Sequence, residues 1–309
     1  MSFKYINPGY AEFLDVAGGT TIADTIKSRT GVMFYQPTDK KGLELSETPA
    51  ELYGKFDVYI PKNRNDFSIK IAMLETNGYA LDGMGFVKRD NAMYFMRYYS
   101  GNSSGGADAY LSEPERLNLK LDAINTFYFH VKTGADGYVQ IYANDQSVEK
   151  YDYDIKFGKA KTLVVYADSA YGAISNLILS DTEIDPKEQV VILPVAATET
   201  TMAAGENGEY IADADGQIIL QAIDTESLIR DYGADTLIKG IAVIGNPACR
   251  TAEGLSDLTA IQYDGAAIIE YGTKIAPQGT PGVVADGHAL SLKISDMTGY
   301  KFGWKAGAS

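Results

Sequence analysis

One cysteine, two histidines and one tryptophan are all that this 309-residue chain holds of those three residue types. Cys249 has no partner within the chain, so no internal disulfide holds the fold and an oxidising compartment is not required. His130 and His288 fall in different predicted domains, and neither has a cysteine or carboxylate at ligand spacing, which speaks against zinc. Asp152 with Asp154, or Asp213 with Asp215, offers oxygens to calcium, but neither pair approaches an EF-hand loop, and such pairs ordinarily serve turns. Neither a metal nor a cofactor is expected.

Positive charge is also scarce: 27 Lys and Arg against 41 Asp and Glu leave a net charge of -14, a surface that a nucleic-acid phosphate array repels. No segment approaches the ~18 uninterrupted apolar residues of a membrane span, so no membrane insertion is expected. The first ten residues show no basic stretch followed by an apolar one, which predicts synthesis in the cytoplasm without a visible export signal. Heptads, solenoid periods and long helices are missing, so any assembly would use sheets or loops.

Tyrosine is what the chain has in excess, with 22 copies against 11 Phe. A rigid apolar ring with a polar tip suits binding faces and interfaces, and aromatics also simply populate strands. Residues 1–50 read as irregular, with one strand near 31–36 and a single helical turn near 22–28. From residue 54 the pattern sharpens into short strands. Residues 55–60 alternate and stop at Pro61, and 67–74 put Phe67, Ile69, Ile71 and Met73 on one face. Strands at 83–87 and 92–99 flank a hairpin turn, and the polar, Gly-rich 101–106 is a loop.

Residues 125–131 bury Phe127, Phe129 and Val131 and turn Tyr128 and His130 the other way. A short connection leads to a strand at 138–143, a tight turn at Asn144 and Asp145, and strands at 163–166 and 174–181. Residues 50–181 carry a resemblance to concanavalin A-like (laminin-G-like) lectin and glucanase sandwiches: an aromatic-led strand, a short loop, a second strand and a closing Ile-Ser-Asn-Leu-Ile-Leu-Ser-Asp. Asn144 and Asp145 depart from the usual Asp-Gly turn of that pattern. The resemblance implies a lectin-like antiparallel β-sandwich over residues 1–185.

Residues 182–189 are polar, charged and Pro-bearing, which suits a linker. A β-rich domain with one short helix is expected over 186–309, opening on an apolar strand at 190–195. Asp224 is the predicted N-cap of the helix, Gly233 its stop, and Asp264 with Gly265 the tip of a hairpin over 258–271. This domain weakly resembles structural modules of phages and prophages.

Glu183, Asp185 and Glu188 match the E-x-D-x-x-E letters of laminarinase-type glycosidases, which share the sandwich. Retaining hydrolysis needs two carboxyls ~5 Å apart. In a strand Glu188 falls out of period with Glu183 and Asp185, and Pro186 cannot serve a central ladder. The segment reads as a solvated linker, with no catalytic residue assigned. No G-x-S-x-G or phosphate loop is present.

The positive case is sugar contact, which uses aromatic faces and planar polar groups. Tyr94, Arg97, Tyr98, Tyr99, Asn102 and Tyr110 cluster in sequence around one loop, while Tyr128 and His130, or Tyr138, Gln140 and Tyr142, stand on the polar faces of two paired strands. The expected protein is a non-enzymatic structural or adhesion component of a phage or prophage virion, tail-associated, acting on the virion or an extracellular surface. Its partners would be a cell-surface glycan and further copies of itself or other virion proteins. The alternative is a carbohydrate-active protein, either a glycan-binding module or a laminarinase-like hydrolase.

Overall fold

The computed structural model describes residues 4–7, 20–23, 32–35, 43–44, 49–60, 62, 67–74, 80–89, 92–99, 108–110, 119–144, 146–152, 162–167, 173–245, 257–275 and 284–307. The chain divides into two compact units, Met1–Val191 and Ile192–Ser309. It is mainly β, with antiparallel sheets in a sandwich-like arrangement and one α-helix among the described residues.

The first unit opens with β1 (Lys4–Asn7), β2 (Thr20–Ala23), β3 (Val32–Tyr35) and β4 (Leu43–Glu44). Then come β5 (Glu51–Ile60), β6 (Phe67–Leu74), β7 (Ala80–Arg89), β8 (Ala92–Tyr99) and β9 (Asp108–Tyr110). β10 (Ala123–Lys132), β11 (Tyr138–Ala143), β12 (Gln146–Asp152), β13 (Thr162–Ala167) and β14 (Ala173–Ser180) complete it. One sheet runs β12-β11-β10-β5-β14-β3-β2 with β1 also paired to β14, and the other runs β4-β13-β6-β7-β8-β9. Residues 20–23 pair with β3 as a strand, where a helical turn was expected to begin at 22.

The core lies on the inner face of β5, β10 and β11. Leu52, Phe56, Val58 and Ile60 alternate inward on β5, opposite Phe127, Phe129 and Val131 on β10, with Val139 and Ile141 beyond them on β11. The rings of Phe56 and Phe127 stack with centroids 5.5 Å apart. Gly54 faces Phe129 in register, and the Phe129 ring fills the space a Cβ would need. Fully burying each such side chain contributes roughly 1.5–3 kcal/mol.

Of the polar side chains buried in this sheet, Asp57 and Asn125 are matched, while Ser175 Oγ has no hydrogen-bond partner among the described residues. Asp57, 4% exposed, accepts from Thr126 Oγ1 at 2.6 Å and from Asn176 Nδ2 at 2.6 Å. Asn176 reaches it because β14 bulges between Ser175 and Ile178, with Asn176 itself at φ 53°. Asn125 is fully buried and closes the turn before β10 through bonds to Lys120 and Ala123.

The second unit contains β15 (Val195–Thr200), β16 (Ala203–Ala204), β17 (Tyr210–Ile211) and β18 (Ile218–Ile223), then α1 (Thr225–Tyr232). β19 (Leu237–Gly245), β20 (Leu258–Tyr263), β21 (Ile268–Ile275), β22 (Val284–Lys293) and β23 (Lys301–Ala306) follow. Its main sheet is ordered β15-β18-β23-β20-β21, and β19 pairs with β22. Phe302, Trp304, Ala260, Ile241, Val243 and Met297 form the core cluster. Asp224 caps α1 by accepting from the Ser227 N–H at 3.0 Å, and Gly233 ends it at φ 90°. Gly265, at φ 95°, makes the β20–β21 turn, where Asp264 Oδ1 accepts from the N–H groups of Ala266 and Ala267. The strand expected at 190–195 begins only at Val195, just after Pro194, whose nitrogen has no hydrogen to donate.

Candidate functional site

The outer face of the first sheet carries the polar side chains that alternation turns away from the core. Register aligns three cross-strand rows: Glu51, Lys132 and Tyr138; Tyr53, His130 and Gln140; Lys55, Tyr128 and Tyr142. Residues opposite or diagonal to one another in such rows are close enough to interact. The two sets that the sequence offered as alternatives therefore share one face.

At its centre the His130 ring stacks on Tyr53, centroids 3.9 Å apart and planes 18° from parallel. His130 Nε2 lies 3.0 Å from Glu51 Oε2, and its Nδ1 lies 3.2 Å from the Tyr138 hydroxyl. Tyr53 donates its hydroxyl to the same Glu51 oxygen at 2.7 Å. The imidazole thus bridges Glu51 and Tyr138, one ring nitrogen facing each oxygen. Tyr138 meets the imidazole edge-on at 5.0 Å, and Tyr142 meets Tyr128 edge-on at 5.2 Å. Such contacts fix the rings as well as bury them.

Charge follows from these bonds. The Glu51 carboxyl is held below its ordinary value first by the Tyr53 hydroxyl and then by the His130 bond and the charges of His130 and Lys132, against burial that pushes it up. Tyr53 is pushed up from the usual phenol value of 10.0, by burial first and then by Glu51. Tyr128 rises through burial and the nearby charges of Glu183 and Glu188. Tyr138 rises through burial, with Glu51 and Glu183 adding to it. These phenols stay protonated at neutral pH, and the Tyr53 hydrogen is already given to Glu51.

Part of the face is covered by the chain itself. Residues 182–189 were expected as a solvated linker and Val190 as the opening of the second domain, but Ile184 is fully buried and Val190 nearly so, packed with Tyr53, Tyr128 and Ile178 of the first unit. Two apolar residues spaced through the charged segment give it this anchorage. Lys55 Nζ ties it down by donating to the carbonyls of Pro186 and Glu188. Between the anchors, Asp185 Oδ1 accepts from the Lys187 N–H and Glu188 Oε1 from the Asp185 N–H, closing a turn. Glu183, Asp185 and Glu188 thus lie in no strand, and the one-strand arrangement of a glycosidase motif is not formed. Tyr128 is 7% exposed beneath this strap, whereas His130, Tyr138, Gln140 and Tyr142 stay half-buried beside it.

The remaining expected residues lie elsewhere. Tyr94, Arg97, Tyr98 and Tyr99 are on β8 and Tyr110 is on β9, both in the other sheet. There Tyr110 pairs with Met96, and Tyr98 with Asp108, in register. Asn102 lies outside the described residues. Glu51 and Tyr53 were not anticipated at all: Glu51 is 79 positions before His130, and only the β5–β10 register joins them. Among the described residues no group of three or more His, Cys, Asp or Glu is placed to hold a metal. No described helix is long and apolar enough to cross a membrane.

This is a β-sandwich protein with an aromatic, hydrogen-bonded outer face. No known protein family and no curated protein matches the chain. Similar solved structures include an endo-β-1,4-glucuronan lyase from the fungus Trichoderma reesei, at 12% identity and TM-score 0.41 over 58% of this chain and 95% of that one. The CBM2 module of the evolved Dit of Lactobacillus casei BL23 phage J-1 matches at 10% identity and TM-score 0.33, over 59% of this chain and 91% of that one. Sheep galectin-11 matches at 10% identity and TM-score 0.31, over 43% of this chain and 92% of that one. At such identities and scores the activities of these proteins do not bear on this chain.

Proposed function

We propose that the protein is a non-enzymatic adhesion or structural component whose first unit contacts carbohydrate through the outer face of β5, β10 and β11. The observation that carries this reading is the gathering of Tyr138, Gln140 and Tyr142 beside the stacked His130 and Tyr53 on one half-buried face. Aromatic rings match the apolar side of a pyranose, and the Tyr138 hydroxyl, the Gln140 amide and the Glu51 carboxylate offer planar donors and acceptors to its hydroxyls. The rings are held by mutual contacts before any ligand arrives, which lowers the ordering cost of binding. A tail-associated place on a virion, with further copies or other virion proteins as partners, belongs to the same proposal and follows the resemblance of the second unit to phage structural modules.

A second reading, an enzyme acting on glycan, is favoured by the chain Tyr138–His130–Glu51, whose connectivity is that of a proton relay. Two carboxylates near Tyr138 strengthen its hold on its proton, which suits a hydrogen-bond donor better than a base. The full chain on a broad glycan array, beside a Tyr138→Ala/Tyr142→Ala variant, tests the proposal. Specific retention by the native chain and at least a tenfold loss in the variant are expected. Cleavage of an array ligand by the native chain, abolished by His130→Gln, would replace the first reading with the second.

A further inference from the structure

β15 forms one edge of the second unit's main sheet, and among the described residues it pairs with β18 alone. All six of its residues are exposed, Val195 at 46%. In register, Thr198 lies in one row with Gln221 and Phe302, and Thr200 in one row with Ile219 and Trp304, so both threonines share the core side of the sheet with those rings. The core stops short of them. Among the described residues no β15 side chain belongs to the core cluster, whereas β21 at the opposite edge reaches it through Tyr271. A strand paired along one edge and covered on neither face gains little from its order within its own chain. The Thr201 N–H donates to the Ile218 carbonyl at 3.0 Å. Backbone groups alternate sides along an antiparallel strand, so the N–H and C=O of Thr198 and Thr200 point away from β18. Little guards this edge: its bulge lies at the start, between Val195 and Ala197, no Lys or Pro stands within it, and its one charge, Glu199, is paired with Lys301 at 2.6 Å.

From this we infer that β15 is a self-association surface: it pairs antiparallel with β15 of a second copy across a twofold axis at Thr198, continuing the sheet from one chain into the other. The inference rests on the further-copies part of the proposed function, to which it assigns a surface, and not on glycan contact. Centring on Thr198 lets each copy's Thr198 N–H donate to the Thr198 carbonyl of the other, using the groups that point away from β18. The same centre sets Thr198 against Thr198, a favourable cross-strand pair, and places Glu199 opposite Ala197 of the second copy, so the two carboxylates do not face each other. A strand that meets itself in this way makes an isologous contact, which closes as a dimer. Two short strands make a small contact, so the dimer should dissociate on dilution.

The test is sedimentation of the full chain across a dilution series reaching about 100 μM, where a monomer–dimer equilibrium is expected. Thr198→Pro removes the outward N–H and leaves the donors to β18 in place, as an edge strand allows. Thr198→Lys sets two ammonium groups against each other across the axis. Each should weaken the dimer at least tenfold, whereas Thr198→Val, which keeps the N–H and a branched side chain, should leave it within about twofold. The fluorescence transition of Trp304 in denaturant checks that the second unit of each variant still folds. A native dimer indifferent to both Thr198→Pro and Thr198→Lys would overturn this surface and leave self-association standing. A native chain that stays monomeric throughout the series would overturn both, and neither result would touch glycan retention on the array.

Discussion

The main sheets of the two units bury one face alike and use the other face differently. In the first unit, Phe56, Phe127, Phe129 and their aliphatic neighbours fill the inner side, and the outer side becomes a network of Tyr, His and Glu. In the second unit, Phe302 and Trp304 point into the core cluster, and the opposite side of β23 carries Lys301 and Lys305, paired with Glu199 and Glu270. Lys301 also lies 5.3 Å from the centre of the Tyr263 ring. Long, exposed ion pairs keep a sheet soluble and give little else, about 0–1 kcal/mol each. Half-buried rings locked by shared hydrogen bonds give a shaped surface. The period of two serves both sheets equally, and the residue types on the solvent side separate the proposed binding face from a solvated one.

The two sheets can be separated by experiment because the single tryptophan, Trp304, sits in the second unit, so its fluorescence reports that unit while far-UV circular dichroism reports the whole chain. Each sheet contains a glycine with no room for a Cβ. At Gly303 the obstacle is the backbone of Ile219 and Leu220, and at Gly54 it is the Phe129 ring. Backbone in a central ladder cannot yield, whereas a ring can shift. Gly303→Ala should therefore cost about 3 kcal/mol or more and move the fluorescence transition in denaturant. Gly54→Ala should cost about 1–3 kcal/mol and leave that transition in place.

Asp57→Ala is next in size. It removes the acceptor of Thr126 and Asn176 inside the first sheet, and leaving those donors unsatisfied should cost about 2–3 kcal/mol by circular dichroism.

Alkaline pH should also separate the units. Tyr53 and Tyr128 hold their protons more tightly folded than unfolded, so between their unfolded value near 10.0 and their higher folded values the unfolded chain binds fewer protons. Their stabilisation is complete below pH 10 and declines as pH rises past it. The first unit should accordingly lose stability above about pH 10, and Tyr53→Phe should flatten that decline. The smallest effect expected is for Lys301→Met, which removes the Glu199 pair and should change stability by less than about 1 kcal/mol, less still at high salt.

Much of the fold was legible because it depends on local pattern. The alternation at 125–131 sets the inward Phe127, Phe129 and Val131 against the outward Tyr128 and His130, and Asp224, Gly233, Asp264 and Gly265 mark a helix and a turn through their own backbone chemistry. The site was only half legible. Tyr138, Gln140 and Tyr142 were readable from alternation, but their union with Tyr128 and His130 needed the β10–β11 register. Glu51 and Tyr53 come from a strand that begins four residues before the alternation noticed at 55–60, and no local signal ties them to His130. The strap escaped notice because its composition is polar, while its anchorage depends on two residues, Ile184 and Val190, meeting a distant aromatic face. Composition averages over a segment, but packing is decided residue by residue.

The most direct test of the central claim is an NMR titration of the full chain with the tightest-binding oligosaccharide from the array, following the imidazole of His130 and the ring resonances of Tyr138 and Tyr142. The account predicts saturable shifts at these three residues, with the indole of Trp304 and its core neighbours unmoved. Shifts confined to the second unit, or to β8 and β9 with His130 silent, would contradict it.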